Sequence, residues 1–85
     1  MNLFEAVARI KETAEIISET PEIIDERKYR LIEAEGSEKG VALREYYKLA
    51  ATGSGVYEFK IIALAETNVD IQRKIEMMLS SFLVK

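Results

Sequence analysis

Apolar residues near the start of the chain recur at alternating steps of four and three, the spacing of one helical face. They are Leu3, Val7, Ile10, Ala14 and Ile17. Asn2 and Glu5 have the spacing of a capping box, in which the N-cap oxygen accepts a hydrogen bond from the third helical residue. The pattern predicts a first helix that ends before Pro21, because the residue preceding a proline is pushed out of the helical region.

A second helix is predicted near the other end of the chain. Thr67, Asn68 and Asp70 supply cap oxygens and a first-turn carboxylate, which stabilise a helix start. A wide apolar face follows, made of Ile71, Ile75, Met78, Leu79, Phe82 and Leu83. This pattern indicates a core helix of about fifteen residues, near the usual length.

The middle of the chain alternates with a period of two. In Val56–Ala65, Tyr57, Phe59, Ile61 and Ala63 alternate with Val56, Glu58, Lys60 and Ile62. Aromatic and β-branched residues in this order, after a glycine-rich turn, are typical of a strand. Lys28–Glu35 alternates less cleanly and precedes the turn-rich stretch 36–40.

Val41–Ala51 is compatible with two structures. As a helix, Leu43, Tyr46, Tyr47 and Ala50 share a face and Gly53 lies where a C-terminal glycine cap belongs. A strand is favoured, because Val56–Ala65 would otherwise have nothing to pair with. We therefore expect one α+β domain over residues 1–85: a helix, a three-stranded antiparallel sheet and a helix, with both helices on one face of the sheet. The alternative is an all-α bundle.

Composition removes most catalytic chemistry. The 85 residues include no cysteine and no histidine, so disulfides, thiolate sites and His-based metal or acid–base sites are excluded within one chain. Ser, Thr, Lys, Tyr and carboxylates remain, but no pair of them is placed by spacing. We expect no enzyme activity, no catalytic or metal-binding residues and no cofactor.

Charge and hydropathy limit the partners. The net charge is −3, without the basic footprint of a nucleic-acid binder. No apolar run approaches the roughly 18 residues that span a bilayer, and the N-terminus does not resemble a secretory signal. We expect a cytoplasmic protein or virion component, with no membrane and no nucleic-acid partner.

Two polar clusters have simple structural explanations. Glu22, Asp25 and Glu26 resemble a cation site less than the acidic first turn of a helix. Gly53-Ser54-Gly55 has the backbone amides of an anion nest, but a hairpin turn explains its glycines.

A mixed basic and aromatic set is the candidate sheet face: Arg44, Tyr46, Lys48 and Lys60. Such side chains stack single-stranded bases in some domains. They are equally expected on the solvated face of a small sheet, and the acidic total charge favours that interpretation.

The end of the chain is unusually apolar for a terminus. The candidate interface residues are Met77, Leu79, Phe82, Leu83 and Val84. Such residues either dock on the core or contact another subunit, and a domain this small has little core to receive them. We expect a homo-oligomer or a protein partner.

Two resemblances sharpen the functional hypotheses. The order helix, three strands, helix resembles double-stranded-RNA-binding domains, although the Gly-Pro-x-His loop and Lys-Lys pair of that family are missing. Arg44-Glu45-Tyr46-Tyr47, the Gly53 turn, residues 57–61 and the last helix resemble small tail-completion and minor capsid proteins of tailed phages, which implies assembly into rings. The main hypothesis is a non-enzymatic assembly protein, and the alternative is a nucleic-acid-binding or regulatory module.

Overall fold

The computed structural model describes residues 1–85 and contains two helices and four strands. In chain order they are α1 (Leu3–Thr13), β1 (Glu15–Ile24), β2 (Arg27–Glu38), β3 (Val41–Thr52), β4 (Gly55–Leu64) and α2 (Val69–Ser81). The strands form one antiparallel sheet in the order β1-β2-β3-β4. Two residues separate each strand from the next, so the sheet is a meander of hairpins.

The predicted three-stranded sheet is wrong, because residues expected to extend the first helix form a fourth strand. The helix stops at Thr13, and Ala14 is already extended with φ −147° and ψ 157°. β1 then pairs with β2 from Glu15 to Ile24, with an irregularity between Ile16 and Ser18. Its paired isoleucines favour a strand, and the apparent helical position of Ile17 coincides with this irregularity.

The acidic residues before β2 form a turn and do not start a helix. Asp25 and Glu26 have positive φ angles of 50° and 68°, the arrangement of a two-residue type I′ hairpin turn. Glu22 lies within β1 opposite Tyr29. The acidic cluster is therefore divided between a strand and its turn.

Several local predictions are confirmed. Val41–Thr52 is a strand paired on both sides, which overturns the all-α alternative. Asn2 Oδ1 accepts a hydrogen bond from the Glu5 amide at 2.8 Å, and Asn68 Oδ1 accepts one from the Ile71 amide at 2.9 Å. Both helices thus begin at the predicted asparagine caps.

The two helices lie on opposite faces of the sheet, so their predicted placement on one face is also wrong. On the α1 face, the helix packs with sheet residues in a core formed by Ala6, Val7, Ile10, Ile32, Ala34, Tyr47 and Leu49. On the α2 face, Ile75 is buried and Phe82 stacks on Phe59.

The central strand explains why both faces are covered. Tyr46 to Ala50 are buried at five successive positions of β3. Alternate residues of a strand point to opposite faces, so β3 presents buried side chains on both sides and each side needs a covering layer. Neither helix is long and apolar enough to cross a membrane.

Candidate interaction surface

The outer edge of β4 carries unpaired backbone groups. The Ala65 amide donates to the Ala42 carbonyl at 3.1 Å, in the same register that pairs Leu43 with Leu64. Hydrogen-bonded and non-hydrogen-bonded pairs alternate in an antiparallel ladder. The amides and carbonyls of alternate residues therefore point away from β3, and these residues are Val56, Glu58, Lys60, Ile62 and Leu64.

Apolar side chains flank this edge on the α2 face. Tyr57 is 54% exposed, and Phe59 contacts Phe82 with a ring-centroid distance of 4.9 Å and an interplanar angle of 11°. Met78 precedes Phe82 by four residues and Ile71 precedes Met78 by seven, spacings that place all three on one flank of α2, and both Ile71 and Met78 are exposed. The edge strand and α2 together form an open apolar surface.

The α1 face of β4 is also only partly covered. Ile62 and Leu64 are more than half exposed. A groove of about 410 Å³ lies between α1 and β4, lined by Met1, Ala6, Arg9, Ile10, Thr13, Tyr47, Leu49, Val56, Glu58 and Lys60. The residues on its β4 side are among those whose backbone groups point outward.

A polar cluster fixes Lys60 at this edge. Its Nζ lies 3.4 Å from Glu45 Oε1 and 5.1 Å from the centre of the Tyr47 ring, while the Tyr47 hydroxyl donates to Glu45. Burial and this hydrogen bond raise the pKa of Tyr47. Burial lowers the pKa of Lys60, but contacts with Tyr47 and Glu45 outweigh it and raise the pKa overall. Lys60 therefore remains a cation at neutral pH.

Lys48 is a buried cation with a structural contact under α2. It is 2% exposed, and its Nζ donates to the Leu79 carbonyl at 2.8 Å and lies 5.1 Å from the centre of the Tyr29 ring. Burial lowers the pKa of Lys48, while Glu22 opposes that effect. A cation beneath the carboxyl end of α2 also complements the helix dipole.

The candidate interface residues divide into two groups. Leu79, Phe82 and Val84 are half-buried, and the Val84 amide donates to the Tyr29 hydroxyl at 3.1 Å. Met77 and Leu83 are exposed. The chain end thus docks on the α2 face and leaves part of its apolar surface open.

Three of the four candidate sheet-face residues share one face of the sheet, and the fourth lies on the other. Arg44, Tyr46 and Lys48 alternate on the α2 face of β3, whereas Lys60 lies on the α1 face. Arg44 pairs with Glu33 at 3.3 Å and with Glu35 at 3.1 Å. Tyr46 is buried, and burial together with Glu33 raises its pKa.

The turn at Gly53 is a hairpin turn stabilised by its neighbours. Thr52 Oγ1 donates to the Gly55 carbonyl at 3.0 Å and accepts from the Ser54 amide at 3.3 Å. No three carboxylates gather where they could hold a metal ion.

Sequence reasoning did not identify the edge of β4 as a surface. The available signal was the run Ile61-Ile62-Ala63-Leu64, which is apolar at both alternations although neither face of β4 is fully covered. No protein-family model matches the chain, and no curated protein and no solved structure matches it.

Proposed function

We propose that this protein is a non-enzymatic assembly subunit that works by self-association. The observation that carries the proposal is the distribution of apolar side chains. Thirteen large apolar residues are exposed while only 12 of 85 residues are buried. Tyr57, Ile62 and Leu64 of β4 are among the thirteen, together with Ile71 and Met78 on the flank of α2 beside this edge.

Covering the exposed apolar side chains would stabilise an assembly. Covering one large apolar side chain contributes roughly 1.5–3 kcal/mol. Contiguous apolar patches with a free strand edge mark interaction sites or aggregation hazards. A specific partner surface would cover the apolar side chains and pair the free strand edge.

Phage tail completion or a minor capsid role is the narrower form of this proposal. It is supported by the short sequence resemblance and by a fold that begins and ends with a helix. A ring needs head-to-tail contacts, whereas a closed dimer needs one self-complementary surface, so a particle of only two copies would rule out this narrower form and leave self-association standing.

The test compares neighbouring methionines of α2. Met78→Glu places a charge on the flank facing β4, while Met77→Glu makes the same change on an exposed side chain that points away from it. We expect sedimentation equilibrium to give an oligomer for the intact chain and for Met77→Glu, and a shift to monomer for Met78→Glu. An intact chain that stays monomeric at high micromolar concentration would refute self-association.

A further inference from the structure

We infer that the occupant of the β4 edge is a second copy of this chain, paired antiparallel through β4 about a two-fold axis at Phe59. This inference rests on the proposed self-association and specifies its geometry. Two four-stranded sheets would then join into one continuous sheet of eight strands. Backbone groups on alternate residues of β4 point outward and are free to pair with a second strand.

The two sheet edges are not equally available. β1 has an irregular register after Ile16 and contains Pro21, both of which protect a strand edge. β4 pairs with β3 without a register shift from Gly55 to Leu64, and it contains no proline. A head-to-tail contact made by strand pairing would need β1 as well as β4, so a closed pair of β4 strands is favoured over an open array of paired sheets.

Charge selects the register. In an antiparallel pair about a two-fold axis through Phe59, Glu58 of each copy lies opposite Lys60 of the other. Opposite charges at facing positions are favourable and like charges are unfavourable. Moving the axis to Glu58 or to Lys60 sets that residue against its own copy, so these neighbouring registers are disfavoured.

The same axis matches the apolar residues. Tyr57 lies opposite Ile61, Val56 lies opposite Ile62, and Phe59 faces its own copy. The outward groups of the pairs 56–62 and 58–60, with their symmetry mates, provide about eight backbone hydrogen bonds. Because Phe82 stacks on Phe59, the carboxyl ends of the two α2 helices come near the axis, with Met78 on the facing flank.

The first experiment reverses the charge of one residue at a time, at Glu58 or at Lys60. Glu58→Lys and Lys60→Glu each place like charges opposite one another twice, so each variant alone should dimerise at least about tenfold more weakly. An equimolar mixture restores opposite charges at both pairs. With one variant isotopically labelled, native mass spectrometry should show heterodimers in excess. Glu15→Lys on β1 is the control for Glu58→Lys, because it makes the same charge change away from the β4 edge, and it should dimerise normally.

The second experiment tests the register without changing charge. The chain has no cysteine, so Tyr57→Cys and Ile61→Cys can be made as single-thiol variants. In this register residues 57 and 61 of different copies form a non-hydrogen-bonded pair, close enough for a disulfide. Mild oxidation should cross-link the mixture of the two variants, while each variant alone should remain largely uncross-linked.

The outcomes separate this inference from the broader proposal. A dimeric intact chain whose variants neither pair preferentially nor cross-link in the mixture would overturn the register and leave self-association standing. Open-ended assemblies of the intact chain would overturn the closed two-fold pairing. A monomeric intact chain would overturn both.

Discussion

The two edges of the sheet, β1 and β4, differ in how they are protected against pairing. β1 carries an irregularity at Ile17, a proline and several glutamates, all common on protected edges. β4 has an uninterrupted register and apolar side chains on both faces. In a sheet with one blocked edge and one open edge, growth by strand pairing ends after two copies.

The position of Pro21 strengthens this contrast. The two-residue turn between Ile24 and Arg27 makes these residues a hydrogen-bonded pair, so odd-numbered residues of β1 beyond the irregularity point their backbone groups outward. The nitrogen of Pro21 therefore lies on the outer side, where a strand tolerates the missing donor. The same rule gives the outward positions on β4.

The largest expected effect comes from introducing a proline at one of two neighbouring positions of β4. Ile61→Pro removes the amide that faces Tyr46 of β3, leaving a carbonyl unpaired at a cost of about 1–3 kcal/mol before any distortion. Ile62→Pro removes an outward donor and should keep the fold but lose self-association. Circular dichroism and sedimentation on both variants are the measurements. Equal loss of fold in the two variants would contradict the assigned edge.

The next effect concerns the protected edge. Pro21→Val restores an outward amide on β1 without adding charge. We expect assemblies larger than a dimer to accumulate several times faster in this variant than in the native chain. Light scattering over time measures this growth. Pro21→Lys restores the same amide with a charged side chain, and it should grow more slowly; identical growth of the two variants would argue against edge pairing.

A smaller effect tests how α2 is held beside β4. Lys48 has a lowered pKa in the folded chain, so between that value and its unfolded pKa of about 10.5 the unfolded state binds more protons. The stability of the native chain relative to Lys48→Met should therefore rise with pH in this window, by up to about 1.4 kcal/mol per pH unit. Urea unfolding of both chains from pH 7 to 10.5 measures this difference in stability. Tyr46, Tyr47 and Lys60 titrate in both chains, so their contributions cancel in the comparison. A relative stability that falls with pH would contradict burial of the cation.

The smallest effect is at the chain end. Tyr29→Phe removes the hydroxyl that accepts from the Val84 amide, at a cost of about 0.5–1.5 kcal/mol. Hydrogen exchange at Val84 should accelerate, while exchange in β2 stays slow. Unchanged exchange at Val84 would show that this contact does not hold the terminus in solution.

Local sequence signals predicted the capped helix starts and the strands β2, β3 and β4. Asn2 and Asn68 were identifiable because cap residues act within three positions of themselves. β1 was missed because Ala14 and Ile17 continue the helical spacing, and the partner that makes residues 15–24 a strand lies in β2. Local spacing carries no information about such a partner.

The arrangement of the helices was missed for a similar reason. Apolar residues occupy both alternations of the run Tyr46-Tyr47-Lys48-Leu49-Ala50, which indicates burial on both faces. Lys48 interrupts this pattern with a charged residue, so the burial was not predicted. Its long side chain can be buried because its ammonium group donates a hydrogen bond to the Leu79 carbonyl, 31 residues away along the chain. The sequence indicated the candidate interface only as an apolar chain end. Which of its side chains are exposed depends on which of them pack on the sheet, and the sequence does not show this.

The hairpin connections have a consequence for the order of events during folding. Each strand contacts the strand just before it, across a two-residue turn, so no long loop must close before pairing begins and folding is expected to be fast. On a growing chain the sheet can be built in sequence, with β4 added last. The edge of β4 is therefore completed last, so in the proposed dimer two copies can pair through β4 only after each has built its whole sheet.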